Sequence, residues 1–346
     1  MAYEHQSAGE ALVAAMLGDR ARQVLGTIDL DVALASQAES GGVSRASFAA
    51  ALNAILFDDL LARVPTGAAF VADQCRRGAR IHMDHGALRT VRLSMGRMPT
   101  DDTGALPGGQ GAFARILGPL GYAVAGTYPL PRLRMTGYAW THRELAEELP
   151  QFFVSELHVD AFDGEFGAAA ARVFGESRDP LDERTKAALD GFERGEDLVW
   201  DEALAALPVI VSAFGRQHPE PRLSDYRLLL DRSAEAAWIA TEGNAFNHAT
   251  SRVADVFEEA ERQRSAGLPI KDRVEVSRNG RVRQTAFQAD AVTRRFRDGD
   301  GVIELSVPGS FYEIISRDID PATGKLDLSF DSGNATGIFA MTRASS

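Results

Sequence analysis

Apolar residues in the first part of the chain recur at spacings of three and four, the pattern of helices that bury one face. The pattern is clear in two stretches, GEALVAAMLGDRARQVLG and SRASFAAALNAILFDDLLARV. At the start of the second, Ser44 or Ser47 is expected to cap the helix, because a serine side chain can accept a hydrogen bond from the first turn. We therefore predict a helical N-terminal part over residues 1–78.

From about Arg80 apolar and polar residues alternate, and threonine, valine and tyrosine become more frequent, which favours strands. Helical spacing returns over residues 164–263, interrupted by a non-helical elbow at EGNAFNHAT. We predict an α+β fold in which residues 79–346 form one domain and the helices of 164–263 are a long insertion between its strands. The predicted strands are AVAGTYPL, LRMTGYAW, QFFVSELHVDAF, RVRQTAFQADAV, GVIELSV and FYEIISRD.

The composition is that of an ordinary globular protein, with 45% hydrophobic and 25% charged residues among 346. The net charge of -12 argues against a nucleic-acid partner, because phosphate binding needs a basic surface. The start of the chain lacks the pattern of a signal peptide, and no stretch approaches the ~18 uninterrupted apolar residues of a membrane span. Cys75 is the single cysteine, which fits a reducing compartment. We expect a cytoplasmic protein without a membrane partner.

The segment IHMDHGALRTVR carries the first candidate chemistry. In a strand, His85 and Arg89 lie on one face and Asp84 lies on the other, because side chains alternate. The Cα atoms of His85 and Arg89 are then roughly 13 Å apart. If the histidine holds a metal and the arginine a carboxylate, the gap suits a short molecule with an anion at each end. An edge strand with two surface residues is the ordinary alternative.

The segment FYEIISRD places Glu313 between Phe311 and Ile315 on a face that we expect to point into the core. A buried carboxylate needs a partner, since without one its burial is costly and it becomes protonated. The partner is either Arg317, on the same face of the strand, or a metal ion. The residues alone leave both alternatives open.

His248 lies in the predicted elbow, before Thr250 and Ser251, which are good N-cap residues for the next helix. An elbow can turn a histidine into a pocket, although an ordinary loop histidine is the simpler interpretation. His85, His248 and Glu313 together would form a 2-His-1-carboxylate set, which suits Fe(II) and leaves positions open for substrate and dioxygen. The seven histidines allow other combinations, so spacing leaves this hypothesis open.

Four motifs extend this picture: DHGALRT, LPQFFVSELHVD, GNAFNHAT and VPGSFYEIISRD. In that order they resemble the motifs of the 2-oxoadipate dioxygenase/decarboxylase family, from about residue 80 to the C-terminus. Members of that family resemble distant relatives of the vicinal-oxygen-chelate fold. The resemblance implies a half-barrel sheet around a metal, with residues 79–346 as the metal-binding catalytic domain.

The resemblance also implies roles for individual residues. His85, His248 and Glu313 would bind Fe(II), and Arg89 would bind the distal carboxylate of the substrate during catalysis. The segment SGNATGIF is similar to a family segment near the pocket. It implies a substrate contact at Asn334, where a serine is common in the family.

The implied reaction converts 2-oxoadipate and dioxygen to 2-hydroxyglutarate and carbon dioxide, as in lysine catabolism. Its partners would be a small dicarboxylic 2-oxo acid and O2, and a mono-acid would be disfavoured because it leaves the Arg89 guanidinium unpaired. Three alternatives remain: a divalent-metal isomerase or lyase on the same scaffold, a non-catalytic 2-oxo-acid sensor, and a structural protein in which Glu313 pairs with Arg317. The sequence does not predict the oligomeric state.

Overall fold

The computed structural model describes residues 7–38, 41–93 and 102–331, and it confirms the predicted α+β class. The helices are α1 (Ala8–Leu17), α2 (Ala21–Thr27), α3 (Asp31–Leu34), α4 (Arg45–Arg63), α5 (Pro65–Arg76), α6 (Gly111–Leu117), α7 (Gly164–Phe174), α8 (Glu183–Glu193), α9 (Trp200–Ala213), α10 (Leu223–Arg232), α11 (Ala234–Glu242) and α12 (Val256–Ser265). The strands are β1 (His82–Arg92), β2 (Tyr122–Leu130), β3 (Met135–His142), β4 (Gln151–His158), β5 (Phe246–Arg252), β6 (Glu275–Val276), β7 (Val282–Ala286), β8 (Ala291–Asp298), β9 (Gly301–Pro308), β10 (Phe311–Arg317), β11 (Ile319–Asp320) and β12 (Lys325–Leu326).

Eight of these strands form one curled, half-barrel sheet in the order β2-β3-β4-β1-β5-β10-β7-β6. At its centre β1 runs parallel to β4 and antiparallel to β5, and β10 runs parallel to β5 and antiparallel to β7. β8 and β9 form a separate hairpin, as do β11 and β12. The three central strands, β1, β5 and β10, therefore come from distant parts of the chain.

The N-terminal helices cover one face of the sheet, which we call the helical face. Of the two predicted caps of α4, the structure uses Ser44, whose side chain accepts a hydrogen bond from the backbone N–H of Ser47. The rings of Phe57 and Phe70, from α4 and α5, lie 6.5 and 5.4 Å from the ring of Tyr312 on β10. Burial of these apolar side chains between helices and sheet is the main source of stability for this face.

The predicted elbow is wrong, because residues 246–252 form the central strand β5. Thr250 and Ser251 are buried in that strand, and α12 is capped instead by Asp255, which accepts hydrogen bonds from two backbone N–H groups. The pattern misled because polar residues occupy buried positions of β5, so it lacks the apolar alternation of a half-exposed strand. The helices between β4 and β5 extend from α7 to α11, and α12 follows β5.

The opposite face of the sheet, which we call the concave face, is partly covered by α7, α10 and α11. Their apolar side chains form a second core with residues of β1, β3 and β4, including Val91, Met135 and Leu157. Each helix in the described part of the chain is either too short or too polar to cross a lipid bilayer.

Candidate metal centre

Three neighbouring strands bring His85, His248 and Glu313 together on the concave face. In the register of the sheet, His85 on β1 and Glu313 on β10 both lie opposite Thr250, on the strand between them. Potential ligand atoms of the three side chains lie within 4.8 Å of one another, and all three residues are buried. Two imidazole nitrogens and a carboxylate oxygen are donors that suit a divalent transition metal.

The carboxylate of Glu313 is only partly satisfied by its neighbours. Its Oε2 accepts a hydrogen bond of 3.0 Å from the Thr250 hydroxyl and lies 3.5 Å from Nε2 of His248. Its Oε1 is buried and has no hydrogen-bond partner among the residues that the structure describes. Burial raises the pKa of Glu313 to about 8, although the charge of Lys271 and the Thr250 hydrogen bond oppose this. A bound cation at this point would offset the cost of burying the charge, so the residues present fit a metal ion.

The suggested pairing of Glu313 with Arg317 is wrong. The guanidinium of Arg317 donates to both carboxylate oxygens of Asp84, at 2.8 and 2.9 Å, and it is fully buried. Arg252 donates a further hydrogen bond of 2.7 Å to the same carboxylate. Within the described residues, Arg317 and Arg252 thus stabilise Asp84.

Asp84 also contacts His85, although strict alternation would place the two side chains on opposite faces. The pairing of β1 with β5 is irregular between Met83 and His85, which is where a β-bulge redirects side chains. Oδ2 of Asp84 lies 2.8 Å from Nδ1 of His85. The proton of the imidazole is therefore held at Nδ1, and Nε2 is left as an electron-pair donor near Glu313.

The charges around Asp84 explain why it stays ionised at full burial. Burial opposes ionisation, but Arg317, the hydrogen bond from His85 and Arg252 outweigh it and hold the pKa of Asp84 well below its ordinary value. Burial also lowers the pKa of His85. An ionised carboxylate beside a neutral imidazole is the arrangement that a metal-binding histidine requires.

His248 is held by an amide and an aromatic ring. The Asn247 side-chain amide lies 3.1 Å from Nδ1 of His248, and the ring of Phe311 lies 4.7 Å from the imidazole. Burial lowers the pKa of His248 well below its ordinary value, and the positive charges of Arg89 and Lys271 act in the same direction. Both imidazoles are thus kept neutral, the form in which histidine binds metals.

Arg89 lies further along β1, on the same face as His85. It is fully buried, and its guanidinium carbon lies 5.0 Å from the ring centre of Trp238 on α11. Burial lowers the pKa of Arg89 to about 10, and the charge of Glu235 opposes this, so the side chain is charged at neutral pH. The backbone oxygen of Arg89 accepts a hydrogen bond of 2.7 Å from the Asn244 amide.

An apolar wall separates the histidines from the outer strands. Ala87, Ala139 and Phe153 form a small buried cluster on the concave face, and Phe330 packs against it. The ring of Phe330 lies 4.9 Å from the ring of His85. The centre is therefore bordered on this side by side chains that exclude water. The predicted contact residue Asn334 lies outside the described residues.

Comparison of the sequence with models of known families identifies the family of the chain. The family model of 2-oxoadipate dioxygenase/decarboxylase matches residues 102–326. The chain belongs to the 2-oxoadipate dioxygenase/decarboxylase family. The resemblance seen in the four sequence motifs is thereby confirmed. Comparison with curated protein sequences gave no match.

Solved structures with the same fold include proteins of the glyoxalase, or vicinal-oxygen-chelate, superfamily. A glyoxalase-superfamily protein from Ralstonia eutropha JMP134 is 46% identical, with a TM-score of 0.87, covering 94% of this chain and 98% of that one. Hydroxyglutarate synthase from Oryza sativa, solved in complex with 2-oxoadipate, is 21% identical with a TM-score of 0.64, covering 89% and 97% of the two chains. The Pseudomonas putida synthase, also with 2-oxoadipate, is 17% identical with a TM-score of 0.53, covering 99% and 74%. These two synthases share the fold of the chain.

Proposed function

We propose that the protein is an Fe(II)-dependent dioxygenase that decarboxylates 2-oxoadipate to 2-hydroxyglutarate. Dioxygen is the second substrate and carbon dioxide the second product, so both oxygen atoms enter the products and no external reductant is needed. The observation that carries the proposal is the convergence of His85, His248 and Glu313 on one buried face that also holds Arg89. Membership of the family supports the reaction, and the relatives described with 2-oxoadipate support the substrate.

In this proposal His85, His248 and Glu313 hold the metal through Nε2, Nε2 and the carboxylate. Fe(II) bound there would supply a redox-active centre with open positions for a 2-oxo acid and dioxygen. Asp84 holds the proton of His85 at Nδ1 and fixes the orientation of the ring. The side-chain nitrogen of Asn247 lies 3.1 Å from Nδ1 of His248 and helps to fix the orientation of that ring.

Arg89 selects for a second carboxylate at the far end of the substrate. A guanidinium can form two parallel hydrogen bonds with a carboxylate, and burial strengthens them because little water competes. The ring of Trp238 lies beside the guanidinium and fixes its position. A 2-oxo mono-acid would bring an apolar end to a buried charge, which disfavours its binding.

The apolar wall excludes water from the reacting groups. Phe153 and Phe330 lie 4.8 Å apart between ring centres, and Tyr128 continues the wall on β2. Exclusion of water strengthens the electrostatic interactions of the centre and protects reactive species from side reactions. Asn334 remains a proposed substrate contact. The exposed free thiol of Cys75 supports our proposal that the enzyme is cytoplasmic. Its place in lysine catabolism is proposed from the family resemblance.

The decisive experiment measures oxygen uptake and carbon dioxide release by protein loaded with Fe(II) without air. We expect both only with a 2-oxo acid, in equal amounts, and fastest with 2-oxoadipate in a panel of 2-oxo diacids. Turnover without oxygen consumption would instead identify an isomerase or lyase. Binding of 2-oxoadipate without any turnover would identify a sensor.

A further inference from the structure

The chain uses lysine at only three positions, Lys186, Lys271 and Lys325, while its other 34 basic residues are arginines (37 Lys and Arg, less three). Lys325 is exposed, and the side chain of Lys186 retains 41% of its exposure. That of Lys271 retains only 15%. Lys271 thus differs from the other two lysines in being largely enclosed by the fold.

The backbone places Lys271 beside β7, the strand that pairs with β10 at Glu313. Its N–H donates a hydrogen bond of 3.0 Å to the backbone oxygen of Ala286, and Ala286 lies directly opposite Glu313 in the sheet. The preceding residue, Ile270, bridges to Phe287, and both pack into the apolar core of the helical face. Because neighbouring residues of an extended chain point to opposite sides, Lys271 points to the concave face.

A carboxylate on the same face holds the ammonium group. Nζ of Lys271 lies 3.2 Å from Oε1 of Glu275. Glu275 pairs with Gln284 in the sheet, and Gln284 pairs with Ile315 on β10. Ile315 and Glu313 lie on the same face of β10, so Glu275 also lies on the concave face. Oε2 of Glu275 is buried and has no hydrogen-bond partner in the described part of the chain. The pair therefore borders the metal centre on the β6–β7 side of the sheet.

The register of the sheet brings Lys271 to the same face as the candidate ligands. Ala286 lies opposite both Lys271 and Glu313. The positive charge of Lys271 acts to lower the pKa of Glu313, in keeping with this placement. Arg89 approaches the same centre from β1, with β5 and β10 lying between β1 and β7 in the strand order. The centre thus has a cation on each side, the fully buried Arg89 and the largely enclosed Lys271.

We propose that Lys271 is a substrate-binding residue that donates hydrogen bonds to the carboxylate adjacent to the keto group, while Arg89 binds the distal carboxylate. The inference rests on the proposed function, because it assumes a 2-oxo acid at the centre. An ammonium is a compact charge with three donors on a flexible chain, so it can donate to the substrate without leaving Glu275. Every 2-oxo acid carries this carboxylate, so Lys271 recognises the class and Arg89 recognises the diacid within it.

The test compares the binding of two ligands of equal length, 2-oxoadipate and the mono-acid 2-oxohexanoate. Calorimetric titration of Fe(II)-loaded protein without oxygen gives the dissociation constants, and metal analysis verifies equal loading. We expect Lys271→Met to weaken both ligands to a similar extent, by about tenfold, the loss of one charge-assisted hydrogen bond. Arg89→Met is expected to weaken only 2-oxoadipate. Lys325→Met, the matched control, should change neither.

Equal binding by Lys271→Met and the unaltered protein, or a loss confined to the diacid, would overturn the inference. If Lys271→Met does not fold, Glu275→Gln decides, since it removes the competing carboxylate while keeping the ammonium. Both 2-oxo acids should then bind more tightly, and unchanged or weaker binding contradicts the proposal. A different result would contradict the proposed function: the unaltered protein would bind 2-oxo acids but consume no oxygen.

Discussion

The carboxylate of Asp84 lies 2.8 Å from Nδ1 of His85, the residue that follows it in the chain. Two sequence neighbours contact each other in this way because the strand pairing is irregular at that point. Arg252 and Arg317 hold the carboxylate from the other side. A single buried acid thus orients a candidate ligand and neutralises two arginines.

Replacement of Asp84 by asparagine is therefore expected to have two effects. Metal affinity should fall by about 10–100-fold, because the amide does not fix the proton of His85 as a carboxylate does. The free energy of unfolding should fall by about 3–5 kcal/mol, because a buried guanidinium loses its counter-charge. Metal titration and urea denaturation measure the two. Asp318→Asn, which removes an exposed partner of Arg283, is the control and should cost at most about 1 kcal/mol.

Glu313→Gln should abolish metal binding while leaving the metal-free protein at least as stable as before. The reason is that the buried carboxylate has an oxygen without a hydrogen-bond partner in the described region, so the neutral amide removes an unfavourable burial. His85→Ala and His248→Ala should also lose the metal and remain folded. Metal analysis with circular dichroism tests all three. Stoichiometric metal in any variant would remove that residue from the centre.

Arg89→Met should keep the metal but lose the preference for diacids. The KM for 2-oxoadipate is expected to rise by about tenfold or more, since a charge-assisted bond to the distal carboxylate is lost. The KM for 2-oxohexanoate should change little. Steady-state oxygen uptake with both substrates measures the ratio. A ratio equal to that of the unaltered enzyme would show that Arg89 does not read the distal end.

His142 is expected to make stability depend on pH. Its buried Nδ1 accepts hydrogen bonds from the backbone N–H groups of Glu144 and Leu145, and burial lowers the pKa of His142 to about 4. In the unfolded chain the pKa is near 6.5. The unfolded state therefore binds the proton first, and stability present above pH ~6.5 is lost as the pH falls toward 4, by at most about 3 kcal/mol.

The variant His142→Asn isolates this contribution, because an amide oxygen can accept the same hydrogen bonds without titrating. Urea denaturation between pH 7.5 and 4.5 (values chosen to bracket roughly the two pKa values) should show a smaller loss of stability for the variant. Parallel pH profiles for the two proteins would show that protonation of His142 does not oppose folding.

Much of the fold follows from periodicity. The spacing of apolar residues predicts α4, with a cap at Ser44 or Ser47, and residues that favour strands predict β1, β3 and β4. β5 escaped prediction for the opposite reason. It is buried on both faces and carries asparagine, histidine, threonine and serine, so its sequence resembles a loop.

The sequence predicted which residues form the candidate site better than it predicted the contacts around them. His85, Arg89, His248 and Glu313 were all singled out from their own segments, and the family resemblance implied their roles in one site. The contact between Asp84 and His85 depends on a local irregularity of pairing, which alternation cannot predict. Lys271 lies in a loop without a motif, and only the register of β7 against β10 brings it to the centre.

The central strands of the sheet are adjacent in space but remote along the chain. Thr250 contacts His85 across 165 residues and Glu313 across 63, and Arg317 reaches Asp84 across 233. An ion held by these strands would cross-link the beginning, middle and end of the domain, and would stabilise only a chain in which all three have assembled. Metal occupancy would then report the completion of folding, and a chain truncated before β10 would lose the ion entirely instead of binding it more weakly.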